Sequence, residues 1–281
     1  MTGIQWTEQV WNPTTGCDRV SPGCDNCYAL TMAKRLKGMG QPKYQVDGDP
    51  RTSGPGFGLT VHPDALDAPL HWRKPRRVFV NSMSDLFHDG VPDGFLAEVF
   101  AVMARTPWHT YQILTKRHGR MRSVLRSPEF KRHFANLAAG ATYQWPLHNC
   151  WLGVSAEDQH WADIRIPALL ETPAAVRWVS AEPLLGPITL RDDWIGVDPY
   201  RRHEPSVDWI VIGGESGQGA RAMDPLWAWS LVEQARVGGT VPFVKQLGSV
   251  WARGAGADSK GGDWRYWPMG LRVRDYPGGP S

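Results

Sequence analysis

Trp151-Leu152-Gly153-Val154-Ser155-Ala156-Glu157 runs apolar for four residues, breaks at a serine and ends on a carboxylate, and Val176-Arg177-Trp178-Val179-Ser180-Ala181-Glu182 ends on the same four residues. Between the two, Asp158 to Leu170 reads as a helix. Two short apolar strands joined by a helical crossover must run parallel, because a hairpin turn cannot return the chain to the same end. The same grammar extends in both directions. Further strands are expected at Arg77–Asn81, Thr110–Thr115, Trp209–Gly213 and Val241–Lys245, and further helices at Asp93–Arg105 and Pro225–Arg236. A shorter strand is expected near Ile4–Thr7, followed by a crossover helix over Cys27–Lys37 capped by Asp25 or Asn26. The predicted fold is α/β, a partial or near-complete (β/α) barrel of parallel strands.

Each strand stops abruptly at polar or charged residues: Asn81-Ser82-Met83-Ser84-Asp85, Thr115-Lys116-Arg117, Ser155-Ala156-Glu157, Ser180-Ala181-Glu182, Gly213-Gly214-Glu215 and Lys245-Gln246. Ligands of parallel α/β folds bind at the carboxyl ends of the strands, so these residues are expected to ring one pocket. The acids Asp85, Glu157, Glu182 and Glu215 would raise one another's pKa there. Lys116, Arg117, Lys245 and a cationic ligand are the expected counter-charges.

Three of the four cysteines lie in one loop, Thr15-Gly-Cys17-Asp-Arg-Val-Ser-Pro-Gly-Cys24-Asp-Asn-Cys27-Tyr28. A disulfide framework needs an even number spread over a small secreted domain, whereas three thiols in eleven residues can converge on one inorganic centre. Iron-sulfur clusters usually take four thiolates, so three ligands leave one iron open. A helix beginning at Cys27 would favour the anionic thiolates and lower their pKa. Zinc is the rival, but closure wants a fourth ligand, and Cys150 opens a buried-looking strand where a small apolar residue is equally at home.

The chain has 281 residues, 42% hydrophobic and 21% charged, with no apolar run near the roughly twenty residues of a membrane span. The first residues lack the features of a secretory signal, and a cytoplasmic location with no membrane contact is expected. The +3 charge is modest but uneven. Residues 73–77 and 116–132 are basic and suit a phosphate-bearing partner, DNA or RNA, as readily as a solvated helix face. For Trp72, Trp108 and Trp161 a place in the core is the default reading. One domain is expected over 1–250, with the cysteine loop at 12–28 and a glycine- and proline-rich insertion at 38–75. An irregular tail over 251–281 is expected to pack on the barrel.

The cysteine loop, with Asn81-Ser-Met-Ser-Asp-Leu-Phe87, Leu114-Thr-Lys-Arg117, Gly153-Val-Ser155, Ser180-Ala-Glu-Pro-Leu-Leu185, Gly213-Gly-Glu-Ser-Gly217 and Phe243-Val-Lys-Gln-Leu-Gly248, resembles the phage-associated three-cysteine family of radical-SAM-like iron-sulfur proteins, whose role is unassigned. More distantly the chain resembles the radical SAM superfamily, with the DNA-repair spore photoproduct lyases as an analogy. The resemblance implies a barrel of the radical SAM type and a [4Fe-4S] cluster on Cys17, Cys24 and Cys27. It implies S-adenosylmethionine on the open iron, and an electron donor such as flavodoxin or ferredoxin. It gives Ser82, Ser84 and Asp85 the methionine amine, Lys116 and Arg117 its carboxylate, and Ser155 and Glu157 the ribose or carboxylate. Ser180, Glu182, Glu215 and Lys245 complete the pocket. The cysteine spacing departs from the superfamily: six residues separate Cys17 from Cys24, and Asn26 stands where an aromatic residue usually precedes the last cysteine, with Tyr28 following instead. The function implied is radical chemistry on a nucleic acid or nucleotide, in repair or modification. The alternatives are a nucleic-acid-binding protein with a structural metal site and no chemistry on S-adenosylmethionine, and a barrel hydrolase with paired carboxylates.

Overall fold

A computed structural model describes residues 4–197 and 204–278. They gather into two compact units, the first formed by residues 4–152 and 172–175, the second by residues 153–171, 176–197 and 204–278.

In the first unit, β1 (Gln9–Trp11), β4 (Arg77–Val80) and β5 (Thr110–Thr115) pair side by side and parallel, with Trp11 opposite Val80 and Val80 opposite Ile113. The short strands β2 (Thr14–Thr15) and β3 (Thr60–Val61) form a separate antiparallel pair. The following strand, β6 (Cys150–Ser155), begins where the Tyr111 amide donates to Asn149. Val78, Val80, Tyr111, Ile113 and Leu152 are all buried, as strands covered on both faces require. The helices are α1 (Tyr28–Gly38), α2 (Asp93–Arg105), α3 (His118–Arg126) and α4 (Pro128–Leu137). Phe100 of α2 meets Phe130 of α4 edge to face at 5.8 Å.

The second unit holds the end of β6, then α5 (Gln159–Leu170), β7 (Val176–Ala181), β8 (Trp209–Gly213), α6 (Pro225–Val237), β9 (Val241–Gln246) and α7 (Ser249–Ala255). Strands β7, β8 and β9 are parallel neighbours. Trp178 and Trp209 lie 5.3 Å apart beneath them, with Phe243 and Tyr276 beyond. Asp158 and Asp224 cap α5 and α6 through their carboxylates. In the tail, Trp267 is buried and the Arg274 guanidinium donates to the carbonyls of Lys245 and Gly262.

The main sheet runs β1-β4-β5-β6-β7-β8-β9, the strand order of a partial (β/α) barrel and the α/β class predicted. Thr110–Thr115, Trp209–Gly213 and Asp93–Arg105 keep their expected bounds. Three expectations need correction. The first strand is Gln9–Trp11, not Ile4–Thr7, because the Thr7 amide turns back on Ile4 and its hydroxyl is tied to the Arg77 carbonyl at 2.9 Å. Helix α1 is capped by neither Asp25 nor Asn26, since Cys27 itself occupies the cap position and makes no side-chain capping bond. Residues 251–255 are not irregular but continue the helix that opens at Ser249.

Candidate functional site

In the first unit, three strand ends are sewn together around the cysteines. The segment after β1 bonds to the segment after β4 at several points. The Gly16 amide donates to the Met83 carbonyl (3.0 Å), and the Ser84 hydroxyl donates to the Thr14 carbonyl (3.0 Å). The Asn81 amide donates to the Thr14 hydroxyl (2.8 Å) and the Ser82 hydroxyl to Asn12 (3.3 Å). Gly16 has a φ of +86°, and a Cβ there would lie 2.2 Å from the Gly58 carbonyl oxygen, so only glycine lets the loop close. Ser82 and Ser84 thus hold the cysteine loop in place.

Asp85 joins the third strand end. Its buried carboxylate accepts from the Thr115 hydroxyl at 2.7 and 2.9 Å, from the Lys116 amide at 3.0 Å and from the Phe87 amide at 3.0 Å. Those bonds pin the end of β5 so that Lys116 and Arg117 stand near the thiols, Arg117 favouring ionisation of Cys17 and Lys116 that of Cys27. No cysteine is in a disulfide. Cys24 lies near enough to both Cys17 and Cys27 to oppose the ionisation of each. Cys17 and Cys27 pack against Ala29, Ala33, Phe57 and Met83. Among the described residues, no three His, Cys, Asp or Glu side chains stand in the arrangement of a metal-ion site.

The expected lowering of the thiol pKa values is overturned. Burial pushes Cys17 up to about 12, with Asp85 adding to it and Arg117 opposing it. Burial raises Cys27 as well, outweighing the amides of Ala29 and Leu30 at the start of α1. Three further neighbours were not foreseen. His88 Nδ1 accepts from the Gly90 amide, so its Nε2 carries the proton and donates to Asp18 at 2.9 Å. Asp18 is held below the usual carboxylate range by the Thr52 hydroxyl and, after that, by His88. The Tyr28 hydroxyl donates to the Ser82 carbonyl at 2.5 Å. Nothing in the sequence pairs Asp18 with a histidine seventy residues away.

The basic stretch 116–132 divides. Arg117 also faces Asp89 at 3.6 Å, and Arg120 is consumed by the Val91 carbonyl and Asp93. Arg126 and Arg132 are exposed on α3 and α4.

In the second unit, each predicted acid has its own cation. Glu157 has no exposed surface and pairs with Arg165 of α5 at 2.9 Å, which turns it away from any ligand. Glu182 meets Lys245 Nζ at 2.6 Å and also accepts from Gln246 at 3.2 Å, both partners of the ion pair remaining 17% exposed. Glu215 takes a bidentate grip from Arg221 and the Arg221 amide. Ser155 and Ser180 are buried at their strand ends. Arg165 and Arg221 escaped the sequence reading because neither sits at a strand end.

A family model described as "Protein of unknown function (DUF5131)" matches residues 1–267. The chain belongs to this family. No curated protein matches the chain. Among solved structures, spore photoproduct lyase complexed with dinucleoside spore photoproduct is similar, at 11% identity over 82% of this chain and 74% of that one, with a TM-score of 0.42. At that identity no residue's role carries over to this DUF5131 protein. Among the described residues no helix is long and apolar enough to cross a membrane.

Proposed function

We propose that this chain is an enzyme that holds a [4Fe-4S] cluster on Cys17, Cys24 and Cys27 and uses S-adenosylmethionine for radical chemistry on a nucleic acid or nucleotide. The observation that supports the reading is three undisulfided cysteines in one loop, with Cys24 close enough to Cys17 and to Cys27 to oppose the ionisation of each, Arg117 beside Cys17 and Lys116 beside Cys27. The donor set fits the group: sulfur ligands suit iron-sulfur clusters, and the two cations offset the negative charge that three thiolates bring. Burial that keeps Cys17 protonated is overcome only when a metal replaces the proton, so assembly releases protons here.

When bound, such a cluster supplies an open iron for the methionine moiety and the electron that cleaves a carbon-sulfur bond. The chain's own residues do the rest. Asp85 and Thr115 fix the backbone at Lys116, while Ser82, Ser84 and Asn81 fix the cysteine loop. His88 locks Asp18, the residue after Cys17, and Arg117 reaches the same turn through the Asp18 carbonyl at 3.5 Å. An electron donor of the flavodoxin or ferredoxin kind and a reducing, cytoplasmic setting belong to the same proposal.

The test is anaerobic reconstitution with iron and sulfide, then addition of S-adenosylmethionine and dithionite. The expected result is a brown protein that forms 5'-deoxyadenosine. A brown protein that forms none removes the radical chemistry and leaves a cluster-bearing protein. A colourless protein removes both.

A further inference from the structure

The end of the first unit opposite the cysteines carries a second feature. Just before β4 and just before β5, Leu70, His71, Trp72, Arg73, Pro75 and Trp108 line a cleft of about 400 Å3, within the usual range of small-ligand sites, roughly 300–1,000 Å3. Trp108 is 48% exposed although tryptophan ordinarily fills cores. It is nevertheless fixed. Its indole N–H donates to Nε2 of buried His109 at 3.1 Å, and the His109 ring stands edge-on between Trp108 at 5.7 Å and Trp72 at 5.6 Å. Burial, helped by Arg76 and opposed by the Pro69 carbonyl 3.3 Å from the same Nε2, lowers the His109 pKa, and the neutral ring accepts the Trp108 bond when its proton is on Nδ1. A rigid indole with its polar edge engaged inside and its surface half in water has one thing left to offer, its π-face.

The charge around that face is positive. Arg73 and Lys74 are exposed and make no ion pair among the described residues, and the nearby carboxylate of Asp67 already faces His71 at 3.3 Å. Stacking indoles beside unpaired cations recognise a planar base joined to a phosphate. Apart from Arg73, the indole N–H of Trp72 and His71, whose Nε2 already faces Asp67, the lining offers no side chain free to engage a ribose 2'-OH. We infer that this cleft binds single-stranded DNA, stacking an unpaired base on Trp108 with Trp72 beside it while Arg73 and Lys74 take the flanking phosphates. The inference deepens the nucleic-acid part of the proposed function and is independent of the cluster.

The experiment is fluorescence anisotropy of a labelled oligothymidylate of about a dozen nucleotides, titrated with the full chain over a range of salt concentrations. Trp108→Ala is expected to weaken binding roughly 5- to 150-fold, the usual worth of one stacked base, while Trp108→Phe, which keeps a ring, retains most of it. Arg73→Ala is expected to lower the salt slope by about one. Circular-dichroism melting confirms that each variant is folded. A Cys24→Ala protein, unable to hold the cluster, still binds, so loss of radical chemistry and loss of this cleft are separately visible. Any of four outcomes overturns the inference. These are no binding of the oligonucleotide, unchanged binding by Trp108→Ala, tighter binding of the ribo-oligonucleotide or of duplex DNA than of the single strand, and a change of oligomeric state in Trp108→Ala in place of a change in affinity.

Discussion

The Arg165 guanidinium meets the Glu157 carboxylate at 2.9 Å, and neither side chain has any exposed surface. Arg165 Nη1 also donates to the Ser155 carbonyl at 2.9 Å, and its guanidinium lies 4.0 Å from the Trp161 ring. The pair therefore ties the end of β6 to α5. Two charges in a dry interior cost several kcal/mol each to desolvate, and their attraction offsets this only while both are present. Glu157→Gln or Arg165→Met alone is expected to destabilise the protein by about 3–5 kcal/mol in urea denaturation. The double replacement, which removes both charges, is expected to recover most of that loss. Additive losses would mean that the ion pair is not what links these positions.

Asp85 has a different task. With four bonds from Thr115, Lys116 and Phe87, it fixes two strand ends relative to each other. Asp85→Ala orphans a buried hydroxyl and two amides and is expected to cost about 2–3 kcal/mol. Thr115→Val should cost less, about 1–2 kcal/mol, because the amides keep their acceptor. If the proposed cluster assembles, Asp85→Ala should also reduce the iron bound per chain, since Lys116 is no longer fixed beside Cys27. Iron assay on folded protein reads this directly.

The parts of the fold legible in the sequence are those where burial dictates composition. Thr110–Thr115 and Trp209–Gly213 are apolar runs bounded by polar residues, and a strand covered on both faces can be little else. The cysteine loop was legible for a chemical reason, three thiols in eleven residues. The illegible parts depend on contacts between distant residues. Arg165, one of several polar residues in α5, gives no sign that a carboxylate eight residues earlier is buried against it. The thiol pKa values were misjudged because a helix start is local and readable, whereas the burial that outweighs it comes from Phe57 and Met83 on other loops. Trp108 was read as core because composition cannot tell a ring that fills a core from one braced at its surface.

Cys150 gives the alkaline limit of stability. It is buried, and burial raises its pKa well above the ordinary 9.0. The unfolded chain therefore loses this proton as pH rises past 9.0, while the folded chain keeps it. The contribution is fully present below the unfolded pKa and is lost as pH climbs toward the folded one, at about 1.4 kcal/mol per pH unit. Buried Tyr111 acts in the same direction from 10.0 upward. Cys150→Ala should be less stable than the parent at neutral pH because of the cavity, and the gap should narrow above pH ~9. Denaturant melts at several pH values check the slope, and a gap independent of pH would show that Cys150 ionises alike in both states.

Gly153 lies in β6 with no positive φ to explain it, yet an added Cβ would lie 2.4 to 2.6 Å from three atoms of the Trp178 ring. That ring is fully buried and braced by Trp209 at 5.3 Å, so it cannot step aside as a flexible side chain could. Gly153→Ala should therefore destabilise by about 1–3 kcal/mol through overpacking, although alanine suits a strand interior at least as well as glycine does. The cause can be isolated with a second change. Trp178→Leu alone leaves a cavity and is expected to cost at least about 3 kcal/mol, but in its presence the added methyl group has room. The double variant should therefore be no less stable than Trp178→Leu, a coupling of about 1–3 kcal/mol between the two sites. Additivity in the cycle would show that the glycine is needed for the backbone of β6 and not for the indole packed against it.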